Sequence, residues 1–188
     1  MMRSYLEGRW TAGNGQARTI EDATTGTTFT TVASGGLDLG AALRYARVKG
    51  GPALRAMSFA ARGAMLKQLA DVLHANRDDL LVLSRQGGTT RGDGKFDVDG
   101  AAGTISYYAY LGKKLGDGTV LQDGDPENVL RSKRFVGQHL LVPRRGVAIH
   151  INAFNFPAWG MAEKAAAALL AGVPVLTKPG TATAPQHS

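Results

Sequence analysis

Cysteine is absent from the 188 residues. Within them there is therefore no thiolate nucleophile, no disulfide and no Cys-ligated zinc site, and no metal is expected. Long apolar runs are also missing. No stretch approaches the roughly 18 residues that a membrane-crossing helix needs, and Met1-Met2-Arg3-Ser4-Tyr5 lacks the apolar centre of a secretory signal. A soluble cytoplasmic chain with no membrane partner is the expectation. What is present is ordinary for a globular protein, with 44% hydrophobic and 20% charged residues. The length suffices for one domain or two small ones. The 25 glycines follow no period, so they mark turns and close backbone approaches. A net charge of +7 leaves nucleic acid, a membrane surface or an anionic small molecule open as partners. Nucleic acid is disfavoured, because no nucleic-acid motif is present and the aromatics are not interleaved with the basic residues.

The first 32 residues read as β structure. Tyr5-Leu6 and Arg9-Trp10-Thr11 flank a Glu7-Gly8 turn, and Gly13-Asn14-Gly15 marks another. Arg18 to Asp22 and Thr27 to Val32 are strands around the Asp22–Gly26 turn. Helical spacing follows. Leu39, Ala42, Leu43 and Ala46 define a helix over Asp38–Val48, stopped by Gly50-Gly51-Pro52. Ser58 caps a second helix with an apolar stripe of Ala61, Met65, Leu66, Leu69, Val72 and Leu73. Asp78–Arg85 is a short helix ended by Gly87-Gly88. A long helix over about Asp97–Lys114 turns Val98, Ala101, Ala102, Ile105, Tyr108 and Ala109 inward, with Tyr107 and Tyr110 also assigned to core. Gly116–Asn128 reads as a polar, turn-rich connection, and Leu130–Val142 as a half-exposed strand or hairpin. Val147–Ile151 is a buried strand, Ala158–Ala171 a helix closed by Gly172, and Val173–Thr177 another strand. This last part is a β-loop-α-β unit of a parallel sheet. With one such unit completed, the chain reads as broken off in mid-fold.

The chemistry-bearing stretch is Gly146 to Thr183. Ligands of open α/β sheets bind beyond the carboxyl ends of the strands. Asn155 stands at such a place, and its amide can donate to an oxyanion without titrating. Lys178 ends the next strand on the same rim, where a cation suits a hydroxyl-rich or phosphorylated ligand. Taken alone, Asn155 is better explained as a cap of the following helix, and Lys178 as a solvated loop charge. His150, in a buried-strand pattern, reads as a satisfied core residue. Glu163 and Lys164 read as a helix face.

Asn152-Ala153-Phe154-Asn155-Phe156-Pro157 and Thr177-Lys178-Pro179-Gly180-Thr181-Ala182-Thr183, joined by an alanine-rich helix and Ala171-Gly172-Val173-Pro174, resemble the signatures of the aldehyde dehydrogenase superfamily. Within it, the block from His150 to Met161 is most similar to the dehydrogenase half of bifunctional phenylacetate-degradation enzymes, which oxidise a CoA-linked semialdehyde. Gly51–Met57 and Gln86–Arg91 extend the resemblance over Tyr5 to Pro185.

The resemblance implies an α/β fold. It would comprise the N-terminal part of an aldehyde dehydrogenase, with an incomplete Rossmann-like parallel sheet, long N-terminal helices and β-hairpin segments. Residues 1–188 would be a partial cofactor-binding region, with an oligomerisation hairpin at 131–146 and a homo-oligomeric parent. Asn155 would be the catalytic oxyanion amide. Ile151, Asn152, Ala153, Phe154, Lys178 and Gly180 would line the NADP or NAD cleft, with Lys178 on the adenosine ribose and Pro157 fixing the turn into the helix. No acid follows Lys178 at Gly180-Thr181, which suits the 2′-phosphate of NADP at least as well as NAD. The substrate would be an aldehyde, on the closer resemblance a CoA-thioester one. The family's nucleophilic cysteine and base glutamate are not in this stretch, so the chain alone is expected to be an inactive N-terminal fragment. The alternative is a truncated non-catalytic protein that binds a nucleotide or a partner. The basic set Arg131, Lys133, Arg134, Arg144 and Arg145 reads first as a solvated hairpin, then as a subunit contact, then as a steering patch for an anionic substrate.

Overall fold

The computed structural model describes residues 1–131 and 134–187. Its strands make four separate pairs among the described residues. β1 (Arg3–Leu6) and β2 (Arg9–Ala12) form an antiparallel hairpin. Its two turn residues, Glu7 and Gly8, both have left-handed φ, 53° and 81°. That is the mirror-image turn whose twist matches the strands, and glycine supplies half of it at no steric cost. β3 (Arg18–Glu21) and β4 (Thr28–Val32) form the second hairpin. Asp22 Oδ1 accepts from the Thr24 and Thr25 amides at 2.8 and 3.2 Å and shapes its turn.

Helices α1 (Leu39–Tyr45) and α2 (Gly51–Ala56) are not separated by a stop. Gly50-Gly51-Pro52 was expected to end the helix, but one wide turn, Ala46–Gly50, carries the axis through. There the Gly51 amide reaches back five residues to Ala46 O. The wider turn makes room for the Pro52 ring, which sits in the first turn of α2, where a missing N–H does no harm.

The core lies between α3 (Phe59–Ala75), α5 (Arg91–Leu115) and α6 (Pro157–Leu170). Ser58 caps α3 as expected, accepting from the Ala61 amide at 3.1 Å. Its buried face, however, is Phe59, Arg62, Gly63, Leu66 and Ala70, while Leu69 and Val72 face outward. The small and polar members hid that face from a reading of apolar residues. α5 starts at Arg91, six residues before Asp97, because Thr90 caps it through the Asp93 amide at 3.2 Å. Val98, Ala101, Ala102, Ile105 and Ala109 are buried as anticipated. Tyr108 packs at the core margin, whereas Tyr107 and Tyr110 are exposed. α4 (Arg77–Gln86) is tied to α5 by a two-pronged Arg77–Asp99 pair at 2.6 and 2.7 Å.

Leu121–Asn128, assigned to a connection, is strand β5. It pairs with β6 (Val136–Leu141) in an exposed hairpin. Both strands lie on the surface, so neither burial nor alternation marks β5 in the sequence. Lys133 lies outside the described residues. Arg131, Arg134, Arg144 and Arg145 are exposed. Among the described residues no helix is long and apolar enough to cross a membrane, and no group of three His, Cys, Asp or Glu is placed to hold a metal.

The α3–α5 crossing rests on two glycines. A Cβ on Gly112 would lie 2.7 Å from both Gly63 Cα and Phe59 O, and 2.9 Å from Leu170 Cδ1. Gly112→Val should lower stability by about 1–3 kcal/mol through overpacking. Gly103→Ala, in the same helix with nothing within 4 Å of the added methyl, should raise it by about 0.5–1 kcal/mol. Urea unfolding followed by circular dichroism separates the two. Shifts of the same sign would contradict this packing.

Candidate functional site

β7 (Ala148–Ile151) and β8 (Val175–Lys178) are parallel, with Ile151 opposite Lys178. Parallel strands need a crossover, and α6 provides it. Ala162 and Ala166 are buried on α6, small enough to let it lie close against α5. Both strands thus end on one rim, and residues 152–156 connect that rim to α6.

This connection is fixed at three points. Asn152, 6% exposed, continues the ladder through its amide to Lys178 O at 2.9 Å. Its side chain donates to Thr177 Oγ1 at 2.8 Å and accepts from Lys164 Nζ at 3.2 Å. Phe154 backbone atoms press on Gly180, where a Cβ would meet Phe154 Cα at 2.9 Å. The third point is Asp97 of α5. Its Oδ2 accepts from the Ala158 amide at 3.1 Å and its Oδ1 from the Trp159 amide at 2.8 Å. Those are the second and third residues of α6, the donors that a capping side chain normally satisfies. Phe156, at the cap position, makes no side-chain cap bond.

Asn155 stands inside this fixed frame, and its side chain makes no hydrogen bond among the described residues. It does not cap α6, so the capping explanation is set aside. Ile151, Ala153 and Phe154 are exposed beside it. Lys178 is exposed too, with its Nζ 3.5 Å from Thr181 Oγ1. Between Ile151 and Ala184 the one carboxylate is Glu163 on α6. The rim therefore offers an amide donor, an ammonium and hydroxyls, a donor set suited to the ribose and phosphates of a dinucleotide. Beside α6's first turn lies a cleft of about 220 Å³ lined by Phe96, Phe156, Trp159, Gly160 and Glu163. Phe96 stacks edge-on against Trp159 at 5.0 Å, and the Trp159 indole donates to Thr104 Oγ1 at 2.9 Å.

His150 departs from expectation. Its Nδ1 is buried and finds no partner among the described residues. Burial, and then the Lys164 ammonium, hold the ring's pKa below its ordinary value.

A parallel strand pair crossed by a helix that starts beside a polar rim is a unit of the α/β class. The comparisons narrow this. The model of the aldehyde dehydrogenase family matches residues 10–187. A 3,4-dehydroadipyl-CoA semialdehyde dehydrogenase of Aromatoleum evansii is 47% identical over 97% of this chain and 36% of its own length. The NADP(+) succinate-semialdehyde dehydrogenase of Escherichia coli is 26% identical over 96% of this chain and 36% of its own. A betaine aldehyde dehydrogenase of Staphylococcus aureus, solved with NAD+, superposes with a TM-score of 0.80. It is 22% identical and covers 99% of this chain and 36% of that one, a likeness of fold. The chain belongs to the aldehyde dehydrogenase family and spans about a third of the length of the relatives it matches.

Of the site residues anticipated from sequence, Ile151, Ala153, Phe154, Asn155 and Lys178 are brought to one exposed rim, with Gly180 packed beneath Phe154. Asn152 turns inward instead and ties β7 to β8 and α6. Sequence reasoning missed Asp97 and Lys164. Asp97 had a signal, a carboxylate directly before Val98 on an otherwise apolar helix face.

Two variants separate framework from function. Asn152→Ala removes the buried amide that bonds Thr177 and Lys164 and should lower stability by about 1–3 kcal/mol. Asn155→Ala should change it by less than about 0.5 kcal/mol. Thermal unfolding reads both, and a large loss at Asn155 would mean the amide is structural.

A pH effect follows from Asp97. Burial raises its carboxyl pKa, and the Trp159 and Ala158 amides pull it part of the way back. With the folded pKa above the unfolded one, its contribution is fully present in acid and declines as pH rises through the raised value. A carbon-detected NMR titration of Asp97 should give a midpoint above that of an exposed aspartate. A lower midpoint would reverse this sign.

Proposed function

We propose that residues 1–188 form the N-terminal, cofactor-side part of an NAD(P)-dependent aldehyde dehydrogenase. Its substrate would be a CoA-linked semialdehyde of aromatic-acid breakdown, phenylacetate catabolism included. The observation that carries the reading is the uncommitted amide of Asn155, held in a frame pinned at both ends on the same rim as Lys178. Kinship to a relative named for a CoA-linked semialdehyde supports the substrate class.

In this reading Ile151, Ala153 and Phe154 face the dinucleotide, Lys178 donates to its ribose hydroxyls, and Gly180 lets the two segments close together. The dinucleotide supplies a hydride acceptor. Asn155 Nδ2 donates to the aldehyde oxygen as a nucleophile adds to the carbonyl carbon and the oxygen gains negative charge. Such a preset donor acts mainly on the transition state, because the charge develops only there. The nucleophile lies outside these residues, which contain no cysteine. The 188-residue chain by itself therefore turns over no aldehyde, and it supplies only part of the dinucleotide cleft. The β5–β6 hairpin, with Leu140, Leu141 and Phe135 exposed, serves as a subunit contact. The neighbouring arginines draw in the anionic CoA end.

The test joins residues 1–188 to the thiol-bearing remainder of the enzyme and follows NAD(P)H absorbance. kcat/KM for a CoA-linked semialdehyde should exceed that for succinate semialdehyde by about 100-fold or more, since a missing recognised group is rejected strongly. Asn155→Ala should lower kcat by about 100-fold. Equal use of both aldehydes would sink the substrate class, and an unaffected Asn155→Ala enzyme would sink the site.

A further inference from the structure

We infer that Asp97 is a positioning residue that holds the Asn155 amide in register for the reaction, by capping α6 from the neighbouring helix; this rests on the function proposed above. Three observations carry it. Phe156 at the cap position makes no side-chain cap bond, so α6 has no cap of its own. The Asp97 side chain, 2% exposed, accepts from both free amides of the first turn. Asn155 lies only two residues before Pro157, the first residue of that turn.

The chemistry requires the carboxylate form. In that form two oxygens accept from two N–H donors, and these bonds together with the helix dipole offset part, not all, of what it costs to bury the charge. An amide in its place keeps one acceptor oxygen of the two and turns an NH2 toward a backbone donor. The first turn of α6 would then be free to shift, and Asn155 with it. Facing Asp97 are uncharged groups of α6, the Ala158 and Trp159 amides. On its own helix Asp99 is engaged by Arg77. No other acceptor is recorded for those two amides among the described residues.

The experiment is a double-mutant cycle in the full-length enzyme with Asp97→Asn, Asn155→Ala and the pair. Asp97→Asn should lower kcat about 10- to 100-fold, the scale of a misplacement of about 1 Å. KM for aldehyde and affinity for NAD(P) should stay within about threefold. The pair should be no slower than Asn155→Ala alone, because once the amide is gone its position has no further effect. Losses that multiply would overturn the proposal, since they would show Asp97 acting independently of Asn155. A fall in cofactor affinity matching the fall in kcat would overturn it as well.

Hydrogen exchange in the unaltered full-length enzyme covers the case in which Asp97→Asn does not fold. The Ala158 and Trp159 amides should be protected despite lying in a first helical turn, and free exchange there would overturn the clamp. An unaltered full-length protein that oxidises no aldehyde would remove the function proposed above, and with it the catalytic role of Asp97. Protected Ala158 and Trp159 amides would then show that the clamp itself was correctly read.

Discussion

The contact of Gly63 with Gly112 sets the geometry of the rest. At that point α3 and α5 touch through backbone rather than side chains, and Leu170 of α6 closes over the same spot. A third helix can reach both others only because the first two stand so close. Leu66 and Ile105, with Ala162 and Ala166 of α6, then fill the space beside that contact. Dense packing of this kind leaves little freedom to shift one helix alone. The beginning of α6, and therefore the rim beside it, inherits its position from a contact at the helix's far end.

The rim combines two kinds of residue. Those that fix it are buried or bonded: Asn152 to Thr177 and Lys164, Gly180 against Phe154, Asp97 to the first turn of α6. Those that face outward, Asn155 and Lys178 above all, carry little structural duty. That division suits a site whose donors must be in place before the charge they stabilise appears. It also locates the sensitive positions outside the motif itself, since Asp97 lies 58 residues before Asn155 in the chain.

The sequence was most readable where local chemistry alone decides the structure. Glu7-Gly8 and the Asp22 turn depend on neighbouring residues, and both hairpins stand where the turn residues placed them. Val98, Ala101, Ala102, Ile105 and Ala109 repeat at helical spacing on one face and are all buried. Readability failed where distant partners decide. Gly50-Gly51-Pro52 has the composition of a stop, yet a five-residue hydrogen bond carries the helix past it. Leu69 and Val72 belong to the apolar pattern, but the face that packs is built on Gly63 and Arg62. Residues 121–128 become a strand only because 136–141 pair with them. In the candidate site, the strand ends were enough to place Asn155 and Lys178 on one rim. The inward turn of Asn152 depends on Thr177 and Lys164, and no local pattern encodes it.

The chain carries two tryptophans in contrasting settings. Trp10 is 48% exposed on a hairpin, stacked edge-on against Tyr5 at 5.2 Å and under Arg3. Trp159 lies in the first turn of α6, four residues past Asn155, with its indole bonded to Thr104 and its ring against Gly100. Removing Trp10 would leave a single tryptophan, built into the rim's own foundation. Its emission would follow the state of the site with no label attached.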